Sequence, residues 1–254
     1  MSGIEGVIFD LGNTLMYLDN GWEVVRRRGV RDLANFLLKQ GLVIDPSEFA
    51  EGYLSLRSTL YAKAVEDQVE RTTEDSLKTF LTESGYPDVA SDLIEEAVRV
   101  FFAFEEEQWT PYPQAETTLR QLSERGYRLA LISNATDDRL IQGLSERSGF
   151  SKWFDISLTS AGVGLRKPHP GIFEKVLNQW SFPPSRVVMI GDTLRFDVLG
   201  AHRSGLKGIL AAWDLYPDYD AGADNVVPDA TVESLPQVIE AIAAFEQQPS
   251  PGPG

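Results

Sequence analysis

The sequence predicts an α/β protein: a doubly wound, Rossmann-like parallel sheet interrupted after its first strand by an all-helical insertion. Three observations carry this. A short apolar run, Gly6-Val7-Ile8-Phe9, ends at Asp10, and its length and β-prone residues suit a strand buried on both faces, as parallel sheets require. After Leu15 the apolar residues recur at helical spacing until about residue 108, with no strand pattern between them. From Pro111 short apolar runs alternate with helical stretches, the order that builds right-handed βαβ crossovers.

The elements follow in order. Trp22 to Lys39 reads as a first helix. Phe49, Tyr53, Leu56 and Leu60 line one face of a second, preceded by Pro46 with Ser47 as the expected cap. A third runs from Thr73 to Ser84, opened by Thr73 and closed by Gly85. Val89, Leu93, Ala97, Val100, Phe101 and Phe104 mark a long fourth. The aromatic residues of this stretch read as core packing rather than a cofactor box. Residues 18–109 are therefore expected to form a helical module, and residues 1–17 and 110–245 the α/β part. In the latter, helices are expected at Gln114–Arg125, Asp138–Arg147, Gly171–Trp180, Phe196–Ser204 and Leu235–Phe245. The strands between them are Tyr127–Ile132, Asp155–Leu158, Arg186–Ile190, Gly208–Ala212 and a weak one at Ala230–Val232. Residues 246–254 are poor in apolar groups and read as a loose, disordered tail.

Composition excludes several classes of function. The 254 residues are 43% hydrophobic, enough for a real core, and no apolar run approaches the ~18 residues of a membrane span. A formal charge of −15 repels polyphosphates, so nucleic acid is not an expected partner. With no cysteine there is neither a disulfide nor a thiolate metal site. The first residues lack the basic and apolar segments of a secretory leader, and a cytoplasmic location is expected. An anionic substrate would have to be held by local cations, helix N-termini or a metal.

Polar clusters sit at the ends of the strands, where ligands bind in open parallel sheets. Asp10 ends the first; taken alone, an acid there is equally a turn former. Ser133-Asn134 closes the Tyr127 strand, Arg166-Lys167-Pro168 precedes the Gly171 helix, and Gly191-Asp192-Thr193 closes the Val187 strand with Asp197 five residues beyond Asp192. Individually these read as caps, a solvated loop and a turn. Together they supply a carboxylate nucleophile, a hydroxyl and an amide, a fixed cation and further carboxylates for a hard divalent ion, an inventory that suits phosphoryl transfer.

In these motifs, their order and the position of the helical insertion, nearly the whole chain to about residue 245 resembles the haloacid dehalogenase-like (HAD) hydrolase superfamily, in its helical-cap (C1) branch. The resemblance implies that residues 18–109 are the cap and that Asp10 attacks phosphorus to form an aspartyl-phosphate. It implies that Ser133 and Asn134 meet the substrate, that Lys167 balances charge on nucleophile and phosphate, and that Asp10, Asp192 and the main-chain carbonyl of Gly12 bind Mg²⁺. Asp197 matches the second acid of the family's GDxxxxD motif and is read as a metal-side group. A small phosphorylated metabolite is the implied substrate. The chain departs from the pattern at Gly12, where most phosphatases of the family carry an aspartate that protonates the leaving alcohol and then activates water. Losing a general acid–base typically costs ~10²–10⁴ in rate. Two alternatives stand beside the phosphatase: a 2-haloacid dehalogenase, whose halide leaves without a proton, and a non-catalytic protein that keeps the fold to bind a phospho-ligand or a protein. The Asp192 and Asp197 pair argues against the metal-free dehalogenase.

Other residues carry less. His169 and His202 read as structural, Arg26-Arg27-Arg28 as a solvated helix face, and Arg195 equally as an active-site group or a surface charge. Arg57, Lys63 and Arg71 could each read a substrate anion, and the sequence does not select among them.

Overall fold

A computed structural model describes residues 3–214, 220, 222–223 and 225–247. The chain runs through β1 (Gly6–Phe9), β2 (Met16–Leu18), α1 (Trp22–Lys39), α2 (Pro46–Asp67), α3 (Thr73–Glu83), α4 (Ser91–Gln108) and β3 (Trp109–Pro111). It continues through α5 (Ala115–Glu124), β4 (Arg128–Ser133), α6 (Asp138–Arg147), β5 (Ile156–Thr159), α7 (Ser160–Val163) and α8 (Pro170–Trp180). It ends with β6 (Val187–Gly191), α9 (Leu199–Arg203), β7 (Lys207–Ala211), β8 (Ala230–Val232) and α10 (Leu235–Gln247).

Six strands form one parallel sheet in the order β5-β4-β1-β6-β7-β8. The chain builds outward from β1 through β4 to β5, then crosses back to β6 on the other side of β1. The loops leaving β1, β4 and β6 therefore share the switch point, where a doubly wound sheet leaves its crevice. In β1 each strand residue is buried, and period 2 divides them between two cores. Val7 and Phe9 join Leu129, Leu131, Val188 and Ile190 in one core, where Leu119 of α5 and Ile242 of α10 pack. Ile8 joins Ala130, Ile132 and Met189 in the other, under Phe173 and Val176 of α8 and Ala201 of α9. Gly6 admits the Trp180 indole, whose Cε3 lies 2.8 Å from the place of a Cβ.

The helical block follows β2. Val25, Val30, Leu33 and Leu37 of α1 face Ile94, Ala97, Val98 and Phe101 of α4. Gly29 lets the two backbones close, since a Cβ there would stand 2.5 Å from the Phe101 carbonyl oxygen. Tyr53 is the centre of an aromatic cluster with Phe49, Phe80 and Phe101, in keeping with the core reading of these side chains.

Several boundaries differ from those expected. Asp45, not Ser47, caps α2, its Oδ1 accepting from the amides of Ser47 and Glu48 at 2.9 Å each. Thr72, not Thr73, caps α3 by accepting from the Asp75 amide at 3.0 Å, which frees Thr73 to face the sheet. Both corrections have one cause: in a run of cap-forming residues the sequence does not say which is first to turn. The helix expected from Phe196 begins earlier, as a π-helical turn over Leu194–Val198. The two-stranded antiparallel ribbon of β2 and β3, with Leu18 opposite Trp109, is also new, because three-residue strands carry no periodicity. Of the expected tail, residues 246 and 247 belong to α10, and residues 248–254 lie outside the described residues.

Candidate active site at the carboxyl end of the sheet

Asp10 leaves β1 with its amide bonded to Ile190 of β6, so its side chain enters the crevice at the switch point. Lys167 meets it there. The Lys167 ammonium lies 2.6 Å from Asp10 Oδ1 and 2.7 Å from Asp197 Oδ1, and donates to the Ile132 carbonyl at 2.9 Å. Two of these contacts, to Asp10 and to the Ile132 carbonyl, are hydrogen bonds, and that with Asp197 is an ion pair. Asn134, next to the last residue of β4, clasps the main chain of Lys167 at both ends: Nδ2 donates to its carbonyl at 3.0 Å and Oδ1 accepts from its amide at 2.9 Å. Ser133 is buried at the end of β4, in register with Thr159.

Asp197 reaches Lys167 by way of the π-helical turn. The amides of Asp197 and Val198 both bond to the Thr193 carbonyl at 3.2 Å, a widened turn that swings the carboxylate back toward β6. Its Oδ2 accepts from the amide and hydroxyl of Thr193 at 3.1 and 2.6 Å. Gly191 has to be glycine, since the Asp197 Cβ lies 2.6 Å from the place of a Cβ there. Asp192 sits across from Asp10, with Oδ2 accepting from Asn13 Nδ2 at 3.2 Å.

Three buried carboxylates thus share one buried cation. Burial raises the Asp10 carboxyl, Lys167 opposes this and Asp197 adds to it, leaving a pKa of about 6. Asp192 lies well above the usual carboxylate range, first through burial and then through the charges of Asp10 and Asp197. Burial alone would pull the Lys167 ammonium down, but Asp10 and Asp197 outweigh it and the net direction is up. The surplus negative charge falls on the Asp10–Asp192 side, which is where a cation would neutralise it.

The side chains there offer oxygen only, the carboxylates of Asp10 and Asp192. No group of three His, Cys, Asp or Glu side chains is placed to hold a metal among the described residues, because Asp197 is committed to Lys167 and Thr193. Two carboxylates with no nitrogen or sulfur donor beside them suit a hard ion such as Mg²⁺ and not zinc.

Sequence reasoning missed what covers Gly12. Trp109, at the start of β3, lays its indole over that residue: a Cβ on Gly12 would stand 3.1 Å from Cη2. Gly12 is not among the residues with positive φ, so its backbone would accept a side chain and the indole is the obstacle. The opposite edge of the ring donates from Nε1 to Glu105 Oε1 at 3.3 Å, and Trp22 packs edge-on against it. Burial raises the Glu105 carboxyl to about 7, against the Trp109 hydrogen bond and the Arg57 charge and with that of Asp137. The tryptophan at the end of the helical period was the only sequence signal.

Among the three cations of the helical block, Arg71 is half-buried and paired with Asp67 at 2.5 Å, and Lys63 is exposed. Arg57 alone of the three reaches the sheet, donating to Thr73 Oγ1 at 2.6 Å and to Thr136 Oγ1 at 3.3 Å. His169 caps α8, its Nδ1 accepting from the Gly171 amide, and His202 pairs with Asp229 at 2.9 Å. The Arg195 guanidinium lies over Phe196.

The doubly wound sheet thus brings a buried aspartate, a lysine and a second acid together at its switch point, an arrangement of the hydrolase class. A family model for haloacid dehalogenase-like hydrolases matches residues 4–205, and the chain belongs to that family. It is 29% identical over 212 residues to a glyceraldehyde 3-phosphate phosphatase of Methanothermobacter thermautotrophicus, covering 84% of this chain and 87% of that one. It is 33% identical over 146 residues to a phosphoserine phosphatase of Thermus thermophilus, covering 57% of this chain and 56% of the relative. Among solved structures, a 2-haloacid dehalogenase from Pseudomonas syringae superposes with a TM-score of 0.71 at 26% identity, over 95% of this chain and 99% of its own. No helix among the described residues is long and apolar enough to cross a membrane.

Proposed function

We propose that the protein is a Mg²⁺-dependent phosphatase acting on a small phosphorylated metabolite through an aspartyl-phosphate on Asp10, with residues 18–109 as its cap. The observation that carries this is Asp192. A carboxyl beside Asp10, its charged form disfavoured first by burial and then by Asp10 and Asp197, suits a divalent cation and has little use in a metal-free reaction. The phosphatases among the relatives favour the same reading.

Asp10 attacks phosphorus, its O–P bond forming as the bond to the leaving oxygen breaks. Water then attacks the same phosphorus, the Asp10 O–P bond breaks, and phosphate and the free carboxylate are released, the proton lost by the water going to solvent or to the departed oxygen. Lys167 keeps Asp10 ionised and aimed, and the Asp197 and Asn134 contacts fix Lys167 in turn. Ser133, at the end of β4, donates to the phosphoryl oxygens. Asp10, Asp192 and the Gly12 carbonyl would hold the Mg²⁺, which neutralises charge on those oxygens when bound. With no acid at Gly12, the leaving oxygen departs without a proton from that position, so acyl and aryl phosphates react more readily than alkyl ones.

Phosphate release from a panel of sugar phosphates, acyl phosphates and phosphoglycolate tests this: activity is abolished by EDTA and restored by Mg²⁺. A second reading, a 2-haloacid dehalogenase, is favoured by the uncharged Gly12 covered by Trp109 and by the superposition on the Pseudomonas structure. Chloride release from 2-haloacids without metal, and no phosphate release with it, would select that reading.

A further inference from the structure

The turn between α2 and α3 lands on the segment that leads into Lys167. The Gln68 carbonyl accepts from the Arg166 amide and the Glu70 amide donates to the Gly164 carbonyl, both at 3.0 Å, with Val69 and Leu165 paired antiparallel between them. Within this small ladder Glu70 Oε2 accepts from Arg166 Nη1 at 2.7 Å, with both side chains buried at 1% and 6% exposure. The same oxygen accepts from the Ser160 hydroxyl, and Glu70 Oε1 accepts from the Arg71 amide at 2.9 Å. Ser160 Oγ accepts from the Ala135 amide at 2.8 Å, one residue beyond Asn134. One carboxylate from the helical block is therefore bonded to the segment before Lys167 and, through Ser160, to the loop after Ser133.

As a device for stability alone this is a poor choice, because burying two ions costs desolvation that an apolar pair of similar volume avoids. What the charges add is a fixed geometry across the boundary between block and sheet. We infer that Glu70 is a positioning residue: through Arg166 and Ser160 it sets the loops that bear Lys167 and Asn134, so the Asp10–Lys167 contact is complete only while the helical block is seated. Asn134 clasping the Lys167 main chain joins the two loops that Glu70 holds. The activity arm of the test rests on the phosphatase reading; the exchange arm does not.

Glu70→Gln keeps the shape and removes the charge. Amide hydrogen exchange over residues 160–169 and 68–73 should accelerate in this variant while that of β6 is unchanged. In the phosphate-release assay kcat should fall about 10–100-fold, the loss expected of a small misplacement of a reacting group, with an unchanged circular dichroism spectrum. Arg166→Met should behave alike, the double variant should be no worse than the worse single one, and Arg166→Lys, which keeps the ion pair, should lie near wild type. If exchange over 160–169 stays at the wild-type rate in Glu70→Gln, or the two losses multiply in the double variant, Glu70 does not act through Arg166 and the inference fails. Should wild type release no phosphate at all, the functional reading falls and exchange alone decides the role of Glu70.

Discussion

The indole of Trp109 crowds residue 12, its Cη2 3.1 Å from the place of a Gly12 Cβ, so a side chain there requires the ring to give by a few tenths of an ångström. The position of the usual acid is thus crowded as well as empty of charge. Gly12→Asp alone should gain little on alkyl phosphates, because a carboxylate longer than a Cβ meets the ring. Gly12→Asp combined with Trp109→Phe removes the blocking edge and should recover part of the ~10²–10⁴ of general acid catalysis. Rates for a series of aryl and alkyl phosphates on all three proteins check this; a full gain in the single variant would mean that the ring moves freely aside.

Asp10→Asn should bring turnover to background with the fold retained. The amide keeps the shape, and it removes the Asp10 charge that, after burial, holds the Asp192 carboxyl up, while Lys167 keeps Asp197 as its partner at 2.7 Å. The melting temperature should therefore hold or rise, and a fall in activity without a fall in stability separates a chemical role from a structural one.

Lys167→Met should do the opposite. It leaves Asp10 and Asp197 buried without the ammonium they share at 2.6 and 2.7 Å, and breaking a buried pair typically costs about 3–5 kcal/mol. The loss should shrink as the pH is lowered and the stranded carboxyls take up protons. Denaturant unfolding at pH 5 and pH 8 measures it; equal losses at both would show that the cost is packing and not charge.

Glu105 gives a pH dependence of known sign. Its carboxyl, pushed by burial from an ordinary 4.5 to about 7 in the fold, binds its proton more tightly when folded. Stability from this group is then fully present below about pH 4.5 and is lost as the pH rises toward 7. Glu105→Gln keeps an acceptor for Trp109 Nε1 and should be more stable than wild type at pH 8 by up to about 3 kcal/mol, with no difference at pH 4. Thermal unfolding across that range decides, and a parallel pair of curves would refute it.

Much of the sheet was legible because its signals are local. Val7, Ile8 and Phe9 read as a two-sided strand, and the acids and cations at the strand ends fell where the order of the sheet brings them together. Asp10, Asp192 and Asp197 meet because β1 and β6 are neighbours and their loops open on one side, and the segment between α7 and α8 brings Lys167 to them. The rest depends on contacts between distant residues. Nothing near Gly12 announces that Trp109, 97 positions away by subtraction of the two numbers, will cover it. Glu70 and Arg166 are 96 apart, and each alone is an ordinary charged loop residue. Asp197 was recognised as part of the acid pair, but its turn toward Lys167 rests on a widened helix start and on the missing side chain of Gly191, which only the backbone path reveals.

The ribbon of β2 and β3 has a consequence for how the chain can be rebuilt. Leu18 and Trp109 are paired across it, so the chain departs for the helical block and returns at a single doorway one strand spacing wide. A tight two-residue turn bridges such a gap in any hairpin. Transplanting a different block of helices therefore asks that its two ends meet the same doorway and that it bring an acid to the place of Glu70, while the strand order of the sheet need not be redesigned to receive it.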